Sequence, residues 1–360
     1  MNILNSKIPV VMFHSLKYSH NDPFYLSWDS AAFVELIRKL LKKGFEFVTI
    51  ETIINNETKS SHHHHQICLT FDDGFADNYS VLFEVAKYFE IKFTIFLSTD
   101  FIHEYQNTPF KSYKIRNFLN KKEIIEMSNS GLIDFQGHSQ THTWYPASGK
   151  IKQVCRLKDI SQYLWIYWNR YPEKKGFVSQ DIIHQDLHDL QDKFVVFENK
   201  RALAVRRFYP EMDEFSIREP VIGSLVDGRF ETKEEQTFRY EEELIKSKKY
   251  LEDLLNKEIA FLCWPGGEID DLAYQVFKRA GYKACSMPSN SEKVKNAKNI
   301  FDQKQNVIVR TSPIITVKKV EIDCNYMVDR FNLFTKTGTK KTLRSTLMTA
   351  KYYINGLVQG

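Results

Sequence analysis

The chain has 360 residues, 42% of them hydrophobic, with a formal net charge of +5. That length carries one large domain, or a domain with an insertion, and an aromatic content of 14% (27 Phe, 18 Tyr) excludes a disordered polymer. Basic residues are dispersed except near the C-terminus, which argues against a nucleic-acid-binding protein. No stretch is long and apolar enough to span a bilayer. The five cysteines, Cys68, Cys155, Cys263, Cys285 and Cys324, lie far apart without a CxxC pair, as expected of reduced thiols in a cytoplasm. The opening MNILNSKIPVVMFHSL has one lysine and an apolar run broken by His14, and is not read as a signal peptide.

Taken along the chain, short apolar runs alternate with helix-period segments. Ile8 to Phe13 predicts a buried strand, and Ser30 to Lys43 a helix with Phe33, Leu36, Ile37, Leu40 and Leu41 on one face, Ser30 as its cap and Gly44 beyond it. Strands follow over Phe45–Ile50 and Ile67–Phe71, a helix over Tyr79–Tyr88 and a strand over Lys92–Leu97. Lys121–Ser130 reads as a helix ending at Gly131, before a strand over Leu132–Phe135. Later come helix Tyr240–Leu255, strand Ile259–Trp264, helix Asp271–Ala280, strand Tyr282–Cys285 and a last strand over Val307–Arg310. This alternation predicts a parallel α/β sheet or barrel. About ninety residues, roughly Thr143 to Thr237, break the rhythm and are too long for a loop, so they are expected to form an inserted subdomain capping the barrel mouth. The domains expected are a barrel from 1–142 and 238–333, the insertion 143–237 and a basic tail 334–360.

Two motifs carry the chemistry. In LTFDDG, Leu69 to Gly74, an apolar strand ends in adjacent carboxylates and a glycine. Carboxyl ends of parallel strands carry active sites, and adjacent residues there can point differently, one toward a metal and one toward a substrate. Taken alone, the same letters also read as a turn with a helix-capping Asp. In GHSQTH, Gly137 to His142, two imidazoles stand at i and i+4, a spacing that places both on one face of a helical turn and suits a divalent metal. Two His and one carboxylate form a common catalytic set with open positions for water and substrate. A rival pair, His184 and His188, lies inside the insertion and follows no strand, and the His62–His65 run sits in a polar loop; both read as solvated.

TFDDG followed by HSxTH resembles the polysaccharide deacetylase family, the NodB-homology or carbohydrate esterase family 4 group. The helix EEELIKSKKYLEDLLNK leading to IAFLCWPGG is similar to the family's aromatic-Pro-x-Gly segment, and is preferred over RRFYPE, Arg206 to Glu211, which lies in the insertion. The resemblance covers most of the chain outside Thr143–Thr237 and the tail. It implies a distorted (β/α)7-type barrel, with Asp73, His138 and His142 holding a divalent metal, zinc or another transition ion. It further implies Asp72 as general base, and Trp264, Pro265 and Gly266 at the oxyanion and substrate. Many members carry a late Leu-x-His whose imidazole is the general acid, yet no histidine follows His188 here. PVVMFHSL resembles the early segment of a circularly permuted branch, which points to His14 as that acid. Arg310 is a candidate to orient the base, with a surface salt bridge as the alternative. The insertion's Arg201, Arg206 and Arg207 either clamp a substrate phosphate or form a solvated helical face.

The activity expected is removal of an N-acetyl group from an amino sugar in a glycan or glycolipid precursor, lipid-linked or nucleotide-linked, inside the cell. Hydrolysis of another C–N bond, in a small cyclic amide, is the runner-up. A non-catalytic glycan-binding relative is a third reading, opposed by the full set of Asp72, Asp73, His138 and His142. The tail holds Lys336, Lys340, Lys341, Arg344 and Lys351 without an acidic residue. It is expected to close on the barrel, or else to dock peripherally on an anionic membrane face.

Overall fold

Period-two alternation gives each strand two usable faces, and both are apolar here, as a strand buried on both sides requires. The structure, a computed structural model, describes residues 2–3, 8–17, 27–55, 66–102, 118–156, 193–213, 221–288 and 306–310. The His62–His65 run, the His184/His188 pair, Cys324 and the 334–360 tail lie outside the described residues. The strands are β1 Asn2–Ile3, β2 Val10–Phe13, β3 Ser15–Lys17, β4 Ser27–Asp29, β5 Glu46–Phe47, β6 Gln66–Phe71, β7 Phe93–Leu97 and β8 Ile133–Gly137. They continue with β9 Trp144–Arg156, β10 Lys193–Arg201, β11 Phe208–Pro210, β12 Gly228–Phe230, β13 Phe261–Leu262, β14 Ala284–Pro288 and β15 Asn306–Arg310. The helices are α1 Ser30–Lys42, α2 Ile50–Ile54, α3 Glu84–Phe89, α4 Lys121–Asn129, α5 Lys233–Glu241, α6 Ser247–Leu255 and α7 Asp271–Arg279.

Nine strands make one sheet in the order β1-β15-β14-β13-β8-β7-β6-β2, with β5 also on β6, and every pairing in it is parallel. β1 and β2 sit at opposite edges although Ile3 and Val10 are close in sequence. Across a flat sheet those edges would stand about 34 Å apart at the usual strand spacing, whereas seven residues reach at most about 25 Å. The sheet therefore curls into a nearly closed barrel. Its outer face, with Val11, Phe13, Leu69, Phe71, Phe93, Ile95 and Phe135, packs on the helices. Its inner face, with Val10, Cys68, Phe96, Phe261, Cys263, Ala284 and Ile308, makes a second core that Ile50 and Ile53 of α2 close from below. The α2 amides donate into that floor, Ile50 N–H to Thr94 Oγ1 and Glu51 N–H to Asp134 Oδ2.

Several local expectations change. The Phe45–Ile50 strand shortens to β5 because Thr49 caps α2, accepting from Thr52 N–H. Asp29, not Ser30, caps α1, its carboxylate accepting from Ala32 N–H at 2.9 Å. The helix expected from Tyr240 begins at Lys233, after a capping box of Thr232 and Glu235, and carries a π-turn at Glu242–Lys246. Within 143–237, β9 and β10 form an antiparallel hairpin whose base pairs Trp144 with Arg201. Arg239 of α5 donates to the carbonyls of Ala202 and Val205 and pairs with Glu231, tying this hairpin to the helical layer.

Candidate active site

β6 ends at Phe71, so Asp72 and Asp73 stand at its carboxyl end, as LTFDDG requires. Asp73 has φ +73 and Gly74 φ +70, two successive left-handed residues that turn the chain sharply. The left-handed φ at Gly74 favours glycine, and a Cβ there would also have to push Leu97 Cδ2, 2.5 Å away, aside.

β8 delivers His138, and a loop delivers His142. The expected helical turn is absent: Ser139 at φ +66 and His142 at φ +51 break it, and the two rings meet by loop geometry instead. A carboxylate the sequence reading missed shapes this loop. Buried Glu243, on the π-turn, accepts from Gln140 N–H at 3.1 Å, from Thr141 N–H at 2.9 Å and from the Thr141 hydroxyl. A π-turn inside a long helix often marks function and was the available signal only at the structural level, since the motif EEELIK looks like any exposed acidic turn.

Asp73 Oδ1 lies 3.4 Å from His138 Nε2 and 3.3 Å from His142 Nε2. Asp73 is 1% exposed, and neither carboxylate oxygen has a hydrogen-bond partner among the described residues. A buried, unsatisfied carboxylate is costly unless a cation completes it. His138 donates its Nδ1–H to the Cys263 carbonyl at 2.7 Å, which frees Nε2 as a ligand. One oxygen and two imidazole nitrogens within 4.8 Å of one another fit a divalent transition ion. A second donor group, Asp72, His138 and Cys263, fits less well, because the Arg310 guanidinium already occupies Asp72 and the Cys263 sulfur.

The electrostatics divide the groups. Burial works against ionised Asp73, but His142 and His138 outweigh it and hold its carboxyl far below the usual range. His142 is pushed well down by burial and by the Arg201 charge. Burial opposes His138 too, but the Cys263 sulfur and the neighbouring Asp73 carboxylate hold it well above its usual value.

Arg310, at the end of β15, grips Asp72 with both arms of its fork, Nη1 to Oδ1 at 2.6 Å and Nη2 to Oδ2 at 2.9 Å. It also donates to Thr70 Oγ1 at 3.2 Å and to Cys263 Sγ at 2.7 Å. The surface salt bridge weighed for Arg310 is thus corrected to a buried one, since closure of the barrel brings β15 against β2, the neighbour of β6. Burial would raise the Asp72 carboxyl, and Arg310 overrides it, so Asp72 is held below the usual carboxylate range. His14 follows β2 and sets Nε2 4.0 Å from Asp72 Oδ2, its side chain 18% exposed. Burial pushes the His14 imidazole below its usual value, against the pull of Asp72 and Asp73.

The WPGG turn divides. Trp264, expected at the substrate, is 2% exposed, its indole packed on Phe277 at 5.3 Å in the outer core. Alternation is the reason: Cys263 faces the barrel interior, so its neighbour must face the helices. Pro265 and Gly266 form the following turn, and a Cβ on Gly266, at φ +60, would come within 2.8 Å of Arg201 Nε. Arg201, Arg206 and Arg207 do not share a helical face. Arg206 and Arg207 precede β11 in extended chain: Arg206 donates to the Glu231 carbonyl, and Arg207 lies over Tyr145 and Tyr209. Arg201 alone of the three reaches the histidine loop, donating to His142 Nδ1 at 2.9 Å.

Residues 59–168 match the family model for polysaccharide deacetylase. No curated protein sequence matches the chain. Among solved structures, a de-N-acetylase from Aggregatibacter actinomycetemcomitans aligns at TM-score 0.54 and 18% identity, covering 87% of this chain and 96% of that one. The BpsB deacetylase domain from Bordetella bronchiseptica aligns at 0.52 and 18%, covering 85% and 95%. IcaB from Ammonifex degensii aligns at 0.52 and 12%, covering 92% and 100%. At these identities the structures speak for the shared barrel, and the family match speaks for the sequence. Both motifs, TFDDG and HSQTH, fall within the 59–168 match to the polysaccharide deacetylase family model, and the barrel is the fold that these deacetylase structures share.

Proposed function

We propose that the chain hydrolyses the N-acetyl group of an amino sugar, releasing acetate and a free amine, with the aid of a divalent metal. The observation that carries this reading is the buried Asp73 carboxylate, without a hydrogen-bond partner among the described residues, flanked by His138 and His142 and adjacent to an ionised, Arg310-clamped Asp72. Asp73, His138 and His142 would hold the ion, which would supply Lewis acidity to the acetamide carbonyl and to the attacking water. Asp72 is ionised throughout the neutral range and takes the water's proton, and Arg310 fixes the direction in which its oxygens point. As the C–O bond forms and the C–N bond breaks, that proton reaches the departing amine through His14, 4.0 Å from Asp72. The Gly266 turn is the backbone candidate for an oxyanion donor. One finding supports the hydrolase over a binding-only relative: the base has an orienting cation, Arg310, on both of its oxygens.

The finer proposal is that the acceptor is a lipid-linked or nucleotide-linked precursor handled in the cytoplasm. The free state of Cys68, Cys263 and Cys285 supports a reducing compartment. No helix among the described residues is long and apolar enough to cross a membrane. Incubation of the zinc-loaded protein with free, nucleotide-linked and lipid-linked N-acetylhexosamines, with acetate as the readout, tests both levels. Acetate from none of them, beside release from a small cyclic amide, would move the assignment to the runner-up chemistry.

A further inference from the structure

Arg201 has no part in the chemistry above, yet it stands against a metal ligand. It ends β10, across the ladder from Trp144, two residues past His142. Its guanidinium lies 4.3 Å over the Trp144 ring, the residue is buried, and Gly266 leaves room for it. Nη1 donates to the His142 carbonyl at 3.2 Å and to His142 Nδ1 at 2.9 Å.

A guanidinium has donors and no acceptor. His142 Nδ1 must therefore accept, and a neutral ring then carries its hydrogen on Nε2, pointing to Asp73 Oδ1 at 3.3 Å. A metal needs the lone pair of that same Nε2. His138 has the opposite arrangement, since its Nδ1 donates to the Cys263 carbonyl. The Cys263 carbonyl thus orients His138 for a metal, whereas the Arg201 donor opposes one at His142.

We propose that Arg201 is a displaceable cation of the metal centre: without metal it holds His142 in the tautomer with hydrogen on Nε2, and metal binding requires it to release Nδ1, so the inserted hairpin sets metal affinity. Arg201 is in this sense a positioning residue. The proposal rests on the reading of Asp73, His138 and His142 as ligands.

The test is Zn2+ affinity of the full chain by competition with a chromophoric chelator, for wild type, Arg201→Met and Arg201→Lys. Loss of a neighbouring positive charge and of the opposing donor should tighten Zn2+ binding by about tenfold or more in Arg201→Met, while Arg201→Lys stays near wild type. Equal or weaker binding by Arg201→Met, beside a wild type that binds, would overturn this proposal alone. A wild type that binds no Zn2+ would overturn the ligand reading and this proposal with it. A second measurement needs no folded Arg201 variant: long-range 1H–15N correlation on wild type, with the His142 ring assigned from the His142→Ala spectrum. The metal-free ring should carry its hydrogen on Nε2, and the Zn2+-loaded ring on Nδ1. A metal-free ring already protonated on Nδ1 would overturn the proposal.

Discussion

Asp72 and Asp73 are adjacent in sequence and face opposite partners. Asp72 is clamped by Arg310 through bonds of 2.6 and 2.9 Å, while Asp73 faces imidazole nitrogens at 3.3 and 3.4 Å. The pH dependence follows from the clamp. Arg310 keeps the Asp72 carboxyl below its usual value against the opposing effect of burial. In Arg310→Met the burial effect stands alone, the Asp72 pKa rises, and ionised base is lost at a higher pH on acidification. The acidic limb of kcat/KM should therefore move to higher pH, with a lower plateau; a limb that stays in place would detach Arg310 from the base. His14→Ala should lower turnover by about 10²–10⁴-fold, the usual worth of a positioned proton donor, with metal content unchanged. Near-normal turnover would give the acid role to another group. At this scale the sequence was informative where a motif fixed both residue and spacing, as in TFDDG and HSQTH. It was silent on Arg201 and Glu243, because a lone arginine on a hairpin and one of three consecutive glutamates carry no local pattern.

Among the elements, the π-turn Glu242–Lys246 and the histidine loop form one unit. Three hydrogen bonds from Gln140 and Thr141 converge on Glu243, which is why residues 139–142 can hold two left-handed conformations. Glu243→Ala should lower unfolding free energy by about 3 kcal/mol, given charge-assisted bonds lost in a buried setting, and should weaken metal binding as the loop relaxes. Glu243→Gln, which keeps an acceptor for the two amides, should lose less. Urea denaturation of both variants checks this, and a full loss in Glu243→Gln equal to that of Glu243→Ala would mean that charge alone matters. The elements themselves were legible where one period dominated: α1, α4 and α7 lie within a residue or two of expectation. α2 was not, since Ile50–Ile54 continues an apolar run and only the Thr49 cap separates helix from strand. The early start of α5 at Lys233 was legible in Thr232 and Glu235, a capping-box pair that the apolar period from Tyr240 overshadowed. The loop form of HSQTH was not legible, because i and i+4 spacing is equally compatible with a helical turn.

For the whole molecule, closure of the barrel brings β2, at one edge of the sheet, against β15, near the other. β2 supplies His14, β6 the two aspartates, β8 and its loop the two histidines, and β15 the arginine. Residues from 14 to 310 thus meet at one rim, and no window of sequence contains them all. The alternation of strands and helices made a parallel fold legible, whereas the pairing of Arg310 with Asp72, 238 positions apart, emerges only from strand order. The central claim is that Asp73, His138 and His142 hold the metal while Asp72 performs the proton transfer. Zinc content and acetate release, measured on the same preparations of wild type and Asp72→Asn, test it most directly. The account predicts one zinc per chain in both proteins, acetate from an N-acetylated amino sugar with wild type, and none above background with Asp72→Asn. A zinc-loaded Asp72→Asn that releases acetate at the wild-type rate would contradict it, as would a variant that loses its zinc.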